Sequence, residues 1–363
     1  MKRGAGMSRA HWALLLVALS LCALSVCILQ GTTGSAPPGV ERAQLRWFGV
    51  GALVALVASQ VEYHTLKRLT PAFYVANLGA LALVLLIGKR VNGSQRWLDF
   101  GGFTVQPSEL AKVGLVLALA SWIEATPRPR GYTFTDLVPI AVLLGLPMFL
   151  VFQEPDLGHT LMLFFIGASM MSAERLRRKT AVGGMILGLV GMPLAWLFVL
   201  KRYQKERILT LIDGQVDHLG AGWHSRQSEV AVGSGGLLGK GHGLGSQVAG
   251  GFLPENHTDF VFAKLAEEWG LLGAALTLAL YLALILSILY TAYTARDRFG
   301  SLLCLGVAAM VFWHVVMNVG MVLNMLPVKG VTLPLMSYGG SSVVTTCLGL
   351  GLVLNVHAQR HVF

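Results

Sequence analysis

Charged residues are scarce in this chain: they make up 13% of its 363 residues, against roughly 25% in ordinary soluble domains. Hydrophobic residues reach 54%. A water-soluble surface cannot be built from that composition, which excludes a soluble enzyme, a disordered protein and a nucleic-acid-binding domain. Because a transmembrane helix needs about 20 apolar residues, the apolar residues suffice for roughly ten spans.

Cysteine is also scarce, and several familiar signatures are missing. The four cysteines are Cys22, Cys27, Cys304 and Cys347. They lie in apolar stretches without CxxC or metal-ligand spacing, so we interpret them as core residues. The glycine-rich stretch around Lys240 is not a Walker A loop, because Gly241 stands where Ser or Thr is required, and no nucleotide is implied. Heptads, fixed-period repeats and low-complexity linkers are absent, so we predict a single integral membrane domain over residues 1–363.

Apolar runs of about 17 to 25 residues, bounded by charged residues or by Pro and Gly, predict ten membrane-spanning helices. They lie near residues 12–30, 47–64, 71–88, 109–124, 136–152, 158–172, 180–201, 262–293, 301–324 and 334–358. The predicted fold is an all-α polytopic membrane protein. A long extracytoplasmic loop, about residues 202–261, connects the seventh and eighth spans.

The basic residues indicate how the chain crosses the membrane. The formal net charge is +10, and lysines and arginines lie mostly beside the apolar runs. With the long loop left out, the loops on the side of the two termini carry more than twice as many of them as the loops on the other side. Since basic loops stay inside, we predict that both termini are cytoplasmic. We interpret the first span as an uncleaved anchor, because its apolar core is long for a signal peptide.

Three irregular segments then fall on the outer side, at residues 89–108, 202–261 and 325–333. In the first, Ser108 follows a proline and is the predicted N-cap of the fourth helix. Glu109 and Lys112 would share one face of that helix, with Lys112 about 6 Å into the span. Two compatible interpretations stay open: a structural ion pair, or charges retained because they face a polar cavity.

The long outer loop holds a glycine-rich stretch at residues 233–241. Its glycines would let the backbone approach a bulky ligand closely, with Arg207 and Lys240 meeting phosphate oxygens. A plain flexible loop is the alternative. Nearer the C-terminus, residues 336–342 interrupt an apolar run. Such a break either offers N–H groups to a phosphate or sugar, or permits close helix packing.

A second polar segment, residues 253–262, ends the long loop. Asp259 lies at the predicted entrance of the eighth span, where apolar surroundings raise the proton affinity of a carboxylate and suit it to act as a general base. The alternative is an N-cap or a partner for a nearby Lys or His. His257 by itself is more typical of a hydrogen-bonding residue than of a catalyst.

These segments together resemble the SEDS family (shape, elongation, division and sporulation) of polytopic cell-wall glycan polymerases. The resemblance covers nearly the whole chain, with GSQRWL at 93–98, QPSELAK at 106–112, PDLG at 155–158, the stretch 227–241, LPENHTDFVFA at 253–263 and LPLMSYGGSS at 333–342. Asn256 and Trp269 are similar to the RodA elongation branch. Glu154 departs from the family, which usually has Gln before the PDLG motif.

The resemblance implies a peptidoglycan glycosyltransferase of the bacterial cytoplasmic (inner) membrane that polymerises lipid II for cell elongation and rod shape, with its active site facing outward. It implies a class B penicillin-binding protein as the transpeptidase partner. It also implies dependence on a divalent cation, Mg²⁺ or Mn²⁺, although the sequence has no metal-ligand cluster and no residue is assigned to a metal. By motif position, activity depends on Asp259, and Glu109 with Lys112 is the family's buried pair.

The reaction joins an α-linked pyrophosphate donor to a sugar hydroxyl with a β product. One inverting displacement needs one base and a neutralised leaving group, so we predict that Asp259 takes the proton of the acceptor 4-hydroxyl. The predicted substrate-binding residues are Arg96, Glu109, Lys112, Arg207, Lys240 and His257. Two other hypotheses stay open: a flippase that moves lipid II across the membrane, and a scaffold that only recruits the transpeptidase.

Overall fold

The computed structural model describes residues 9–30, 38–91, 94–101, 103–212, 221–253, 255–327 and 330–359. Its helices are α1 (Arg9–Gln30), α2 (Val40–Gln60), α3 (Tyr63–Ile87), α4 (Pro107–Ala125), α5 (Phe134–Gln153), α6 (Leu157–Ser172), α7 (Arg178–Leu194, continued by a π-helical turn at Ala195–Val199), α8 (Arg202–Ile212), α9 (Ala221–Ser234), α10 (Ser246–Ala249), α11 (Val261–Tyr293), α12 (Arg298–Val322) and α13 (Gly340–Gln359). Three short strands are β1 (Lys89–Val91), β2 (Ser94–Asp99) and β3 (Thr104–Val105).

Each apolar segment predicted to span the membrane coincides with one of the long helices, α1 to α7 and α11 to α13. Within the described residues, seven of them are long and apolar enough to cross a bilayer, namely α1, α3, α5, α7, α11, α12 and α13, and α6 is a shorter apolar helix. α2 and α4 carry charged residues in their first two turns. The all-helical class is confirmed, while the count of ten spans stays a prediction.

Two segments predicted to lie on the outer side contain regular structure in their described residues. β1, β2 and β3 form an antiparallel sheet with strand order β1-β2-β3, in which Lys89 pairs with Trp97 and Leu98 with Val105. The segment predicted as the long loop contains α8, α9 and α10. The strands are two to six residues long, too short for their alternation to stand out in the sequence.

The fourth helix begins earlier than expected. Gln106 is its N-cap and Pro107 its first residue, so the predicted N-cap at Ser108 is wrong by two positions. Proline suits the first helical position because it has no N–H to leave unpaired and its φ is already helical. The N-terminal turn therefore buries Ser108 and presents Glu109 toward the site.

α12 lies at the centre of the packing and contacts α4, α6, α11 and α13. At the periphery, α7 buries almost nothing against the rest of the chain, so its leucines are left to face lipid. The cysteines follow the same division: Cys304 on α12 is buried, whereas Cys27 on α1 is exposed. The interpretation as a core residue is wrong for Cys27, because an apolar bilayer removes the cost of exposing a thiol on a spanning helix.

Candidate functional site

One cavity of about 450 Å³ collects most of the polar motifs. Its walls come from β2, from the first turns of α4, α6 and α13, from α8, and from loop residues within 255–259 and 330–339 together with Pro327. Four residues predicted to form the site line it: Asp259, Arg96, Glu109 and Arg207. Segments that are distant in sequence thus meet at one place.

Asp259 lies two residues before α11 begins, as the sequence predicts for a carboxylate at the entrance of a span. Its loop is held by Asn318 of α12, whose amide donates to the carbonyl oxygens of Asp259 at 2.8 Å and Val331 at 2.7 Å. Gly330 lies so close that a Cβ there would be 3.2 Å from Oδ2 of Asp259. Backbone packing therefore sets the position of the carboxylate.

The surroundings of Asp259 favour its protonated form more than water does. Burial, followed by the negative charge of Glu255, raises the pKa of Asp259 to about 7, and the charges of His159 and Arg96 oppose that rise. A base whose pKa lies near the working pH combines a useful ionised fraction with real proton affinity. Asp259 meets that requirement in this cavity.

Arg96 on β2 clamps the turn between α5 and α6. Its Nε donates to the carbonyl oxygen of Glu154 at 3.3 Å and its Nη2 to that of Pro155 at 2.6 Å. Its Nη1 lies 3.5 Å from Oδ2 of Asp156. These contacts satisfy carbonyl groups left over at the C-terminal end of α5. Because Arg96 also lines the cavity, it is both a structural clamp and a cation of the cavity wall.

Glu109 and Lys112 form the expected pair on α4, with Nζ of Lys112 2.8 Å from Oε2 of Glu109. Both are buried, but only Glu109 reaches the cavity. Behind it, Nζ of Lys112 lies 2.6 Å from Nε2 of His314. Nδ1 of His314 is 2.8 Å from the carbonyl oxygen of Thr332, which can only accept, so the His314 ring is neutral with its proton on Nδ1. Lys112 therefore supports the cavity wall from behind.

The glycine-rich stretch forms neither a phosphate loop nor a loose connector. It is inserted at a break in α11 where Gly270 has φ 66°. The N–H groups of residues 240 and 241 donate to the carbonyl oxygens of residues 267 and 268, and the N–H groups of residues 271 and 272 donate to the carbonyl oxygens of residues 236 and 237. A Cβ at Gly270 would lie 2.3 Å from the backbone nitrogen of Gly239. The stretch thus supplies the hydrogen bonds that the break in α11 would otherwise lose.

Lys240 belongs to that junction. Its Nζ donates to Oε1 of Glu267 at 2.8 Å and to the hydroxyls of Ser234 and Ser246 at 2.7 Å each. Glu267 is fully buried at the end of a half-helix, where the helix dipole disfavours a carboxylate, and Lys240 offsets that charge. Contrary to the prediction that Lys240 meets substrate phosphates, the structure does not bring it into the cavity with Asp259.

His257 faces a neighbouring cleft of about 920 Å³ rather than the main cavity. The two spaces share Trp97, Thr258, Tyr338 and Gly339 as a common wall. Burial lowers the pKa of His257, so its ring is neutral near pH 7. The predicted substrate-binding residues are therefore divided among four places: the cavity, the region behind its wall where Lys112 is buried, the cleft and the α11 junction.

The chain is similar over nearly its whole length to proteins of one known family. The model of the FtsW, RodA and SpoVE family, described as cell cycle proteins, matches residues 7–362. The chain belongs to this family. It is 37% identical over 349 residues to the peptidoglycan glycosyltransferase MrdB of Escherichia coli K12, covering 96% of this chain and 93% of that relative. The predicted SEDS resemblance is thereby confirmed.

Solved structures agree with the FtsW/RodA assignment over the whole fold. A chain of a peptidoglycan synthase complex, described as coordinating polymerization and crosslinking, superimposes with a TM-score of 0.84 at 34% identity and covers 97% of this chain and 98% of that one. RodA of Thermus thermophilus gives a TM-score of 0.72 at 33% identity, covering 96% and 97%. The chain is therefore a multi-pass membrane protein of the FtsW/RodA type.

Three residues that line the FtsW/RodA cavity are absent from the predicted site, although the first of them belongs to the PDLG motif: Asp156, His159 and Gly330. Asp156 could have been recognised, because it precedes an apolar helix and its Oδ1 accepts from the backbone N–H of His159 at 3.0 Å, as an N-cap does. His159 and Gly330 carry no local signal. Their roles depend on which helices meet.

The described side chains of this cavity offer no preformed cluster for a resident metal. No group of three or more His, Cys, Asp or Glu side chains that could hold a metal ion occurs in the described part of the chain. Among the described residues, Asp156 is engaged by His159 and Arg96, and Glu109 by Lys112 and His159, whereas Asp259 and Glu255 form no ion pair. No chemical step is therefore assigned to a divalent cation.

Proposed function

We propose that this chain polymerises lipid II into glycan strands for cell elongation, with Asp259 as the general base. Family membership and the similarity to MrdB make it a peptidoglycan glycosyltransferase. The observation that carries the assignment of the site is the cavity shared by Asp259, whose pKa is raised to about 7, and the cations Arg96 and Arg207.

The proposed reaction is a single displacement at the anomeric carbon of the donor. The acceptor 4-hydroxyl oxygen forms the new glycosidic bond while the bond to the pyrophosphate oxygen breaks and its electron pair leaves with the pyrophosphate. The hydroxyl proton passes to Asp259. Arg96 and Arg207 neutralise the charge that develops on the leaving group. One step of this kind converts an α-linked donor into a β-linked product.

We further propose that the protein lies in the bacterial cytoplasmic membrane with both termini in the cytoplasm and the cavity facing outward. The basic loops support this orientation, and the cavity walls come mainly from the segments assigned to the outer side. Apart from the peripheral α7, the long helices pack directly or through neighbours on α12, which supports one integral domain over residues 1–363. An outward cavity lets lipid II keep its tail in the bilayer while its sugars react.

The partner of the reaction is a class B penicillin-binding protein, which crosslinks the strands that this chain makes. Support comes from the structural relative that belongs to a synthase complex coordinating polymerization and crosslinking. Membrane lipids surround the apolar faces of the helices.

The deciding experiment uses the purified full chain with its transpeptidase partner and fluorescent lipid II, and separates products on a gel. Asp259→Asn should abolish the glycan ladder. Asp297→Asn is the matched control, because Asp297 caps α12 by accepting from the N–H of Gly300 at 2.8 Å, and Asn caps equally well. An undiminished ladder in Asp259→Asn overturns the base assignment. If the wild-type protein moves lipid II across liposomes without making a ladder, the flippase hypothesis is favoured. If it neither moves lipid II nor makes a ladder, the scaffold hypothesis is favoured.

A second pair of variants separates the cavity cation from the junction cation. Arg207→Ala should raise KM for lipid II at least severalfold while the melting temperature stays near that of the wild type, since Arg207 lines the cavity on an exposed part of α8. Lys240→Ala should lower the melting temperature, because it leaves buried Glu267 without its cation. The reverse pattern would show that the two roles are wrongly assigned.

A further inference from the structure

His159, in the first turn of α6, joins two buried carboxylates in the cavity wall. Its Nε2 lies 2.8 Å from Oε1 of Glu109 and its Nδ1 lies 3.0 Å from Oδ2 of Asp156. The side chain is 4% exposed, and it lines the cavity together with both partners. It therefore connects α4, α6 and the turn between α5 and α6 at the place where Asp259 faces the substrate space.

Hydrogen-bond stoichiometry sets the protonation state of this ring. A carboxylate oxygen can only accept, and a neutral imidazole has a single N–H. A neutral His159 would point a lone pair at one of its two carboxylates in a buried site, where an unpaired charge is costly. Both ring nitrogens therefore carry protons, and His159 is an imidazolium held by Glu109 and Asp156.

The imidazolium completes a chain of alternating charges. From the cavity inward, the chain runs Arg96, Asp156, His159, Glu109 and Lys112. Asp156 holds the guanidinium of Arg96 through its Nη1, and His159 holds Asp156. Loss of the His159 charge would leave the carboxylates of Glu109 and Asp156 facing each other across the ring, and Arg96 would lose its fixed position in the cavity wall.

The charge of His159 also acts on Asp259 through the cavity. The groups that face Asp259 electrostatically are Glu255 and Asp156, which stabilise its proton, and His159 and Arg96, which oppose it. His159 in turn is faced by Glu109, Asp156 and Lys112. His159 is thus the buried cation that couples the wall of the cavity to the ionisation of Asp259.

We infer that His159 is a positioning residue for glycosyl transfer, which as an imidazolium fixes Asp156 and Arg96 in the cavity wall and keeps Asp259 ionised enough to accept a proton. This inference rests on the proposed function, because it assumes that Asp259 is the base. His159 lines the cavity together with the cations Arg96 and Arg207. Lys112 and Lys240 cannot perform this task, because they lie behind the cavity wall and in the α11 junction.

The test compares pH profiles of kcat/KM for lipid II polymerisation by the full chain with its partner, the transpeptidase being blocked by a β-lactam. The wild-type acid limb should lie near the pKa of Asp259, about 7. His159→Gln keeps one hydrogen bond and loses the charge, so its acid limb should move up by about 0.5 to 1 pH unit. His159→Lys keeps the charge, so its limb should stay in place even where the overall rate falls. Glu255→Gln removes a negative charge that raises the pKa of Asp259, so its acid limb should move down.

The outcomes separate the two proposals. A limb that stays at the wild-type pH in both His159→Gln and His159→Lys, with rates reduced equally, makes the role merely structural and overturns the inference. Where His159→Gln does not yield folded protein by its melting curve, an upward shift of the limb in His159→Lys, which keeps the charge, overturns the inference. Retention of activity in Asp259→Asn, by contrast, would overturn the base assignment itself.

Discussion

Replacing Lys112 by Met isolates the charge of the buried pair on α4. Nζ of Lys112 contacts Glu109 at 2.8 Å and His314 at 2.6 Å, and the side chain has no exposed surface. Met has a similar length and shape, so little packing is lost. What changes is that Oε2 of Glu109 is left facing an apolar interior with no cation, while His159 still holds Oε1.

Removing one partner of a buried pair costs about 3–5 kcal/mol. Because His159 remains on Glu109, we expect the lower end of that range, about 3 kcal/mol. That loss should lower the melting temperature by roughly 5 °C or more. Lys89→Met is the matched control: Lys89 pairs with Asp99 at 2.8 Å on the surface, with the two side chains 54% and 39% exposed, and such pairs contribute little.

The measurement is thermal unfolding of the purified protein in detergent, followed by intrinsic tryptophan fluorescence. The double variant Glu109→Gln with Lys112→Met should recover at least half of the loss, because it leaves no isolated charge in the interior. A melting temperature of Lys112→Met within about 1 °C of the wild type would refute the reasoning. So would a double variant whose loss of melting temperature equals the sum of the losses in Glu109→Gln and Lys112→Met alone.

Three further changes probe the loops around the site. Burial and Asp156 raise the pKa of Glu154 to about 8 from 4.5, so the folded state keeps a proton that the unfolded chain releases, and stability is lost as pH rises from about 4.5 through 8. Glu154→Gln should therefore melt higher than wild type at pH 9 and close to it at pH 5; an equal difference at both pH values would contradict this. Gly330→Ala places a Cβ 3.2 Å from Oδ2 of Asp259 at φ 50°, and we expect kcat for lipid II to fall about tenfold, so an unchanged kcat would count against the close approach. Gly270→Ala should destabilise the α11 break by about 1–3 kcal/mol or more, measured by melting, whereas Gly188→Ala on α7, where nothing lies within 4 Å, should be neutral.

Helix positions could be predicted because the length of an apolar run is a local property. The break in α11 could not. A helix tolerates an isolated glycine within an apolar run, as Gly270 is in the sequence. The break exists because the backbone of the glycine-rich stretch packs against the backbone of α11 at this point. The same packing explains why that stretch, which resembles a flexible or ligand-binding loop in the sequence, is a structural insert.

In the candidate site, too, some contacts follow from local spacing in the sequence and others depend on how the helices pack. The contact between Glu109 and Lys112 follows from their spacing of three along a helix, and the place of Asp259 follows from the start of α11. The contacts of Lys112 with His314 and of His159 with Glu109 join residues 202 and 50 positions apart. No periodicity in the chain carries that information.

By itself, the sequence determined the membrane class, the positions of the long helices and the motifs that place the chain in the FtsW/RodA family, since hydrophobic length and short-range spacing are read along the chain. Only the tertiary structure decided which cations stand near Asp259. Packing of α4, α6 and α11 around α12 brings Arg96 and His159 to the cavity, keeps Lys112 behind its wall, and leaves Lys240 in the α11 junction. The physical reason is that a buried charge takes its position from the partners that helix packing supplies.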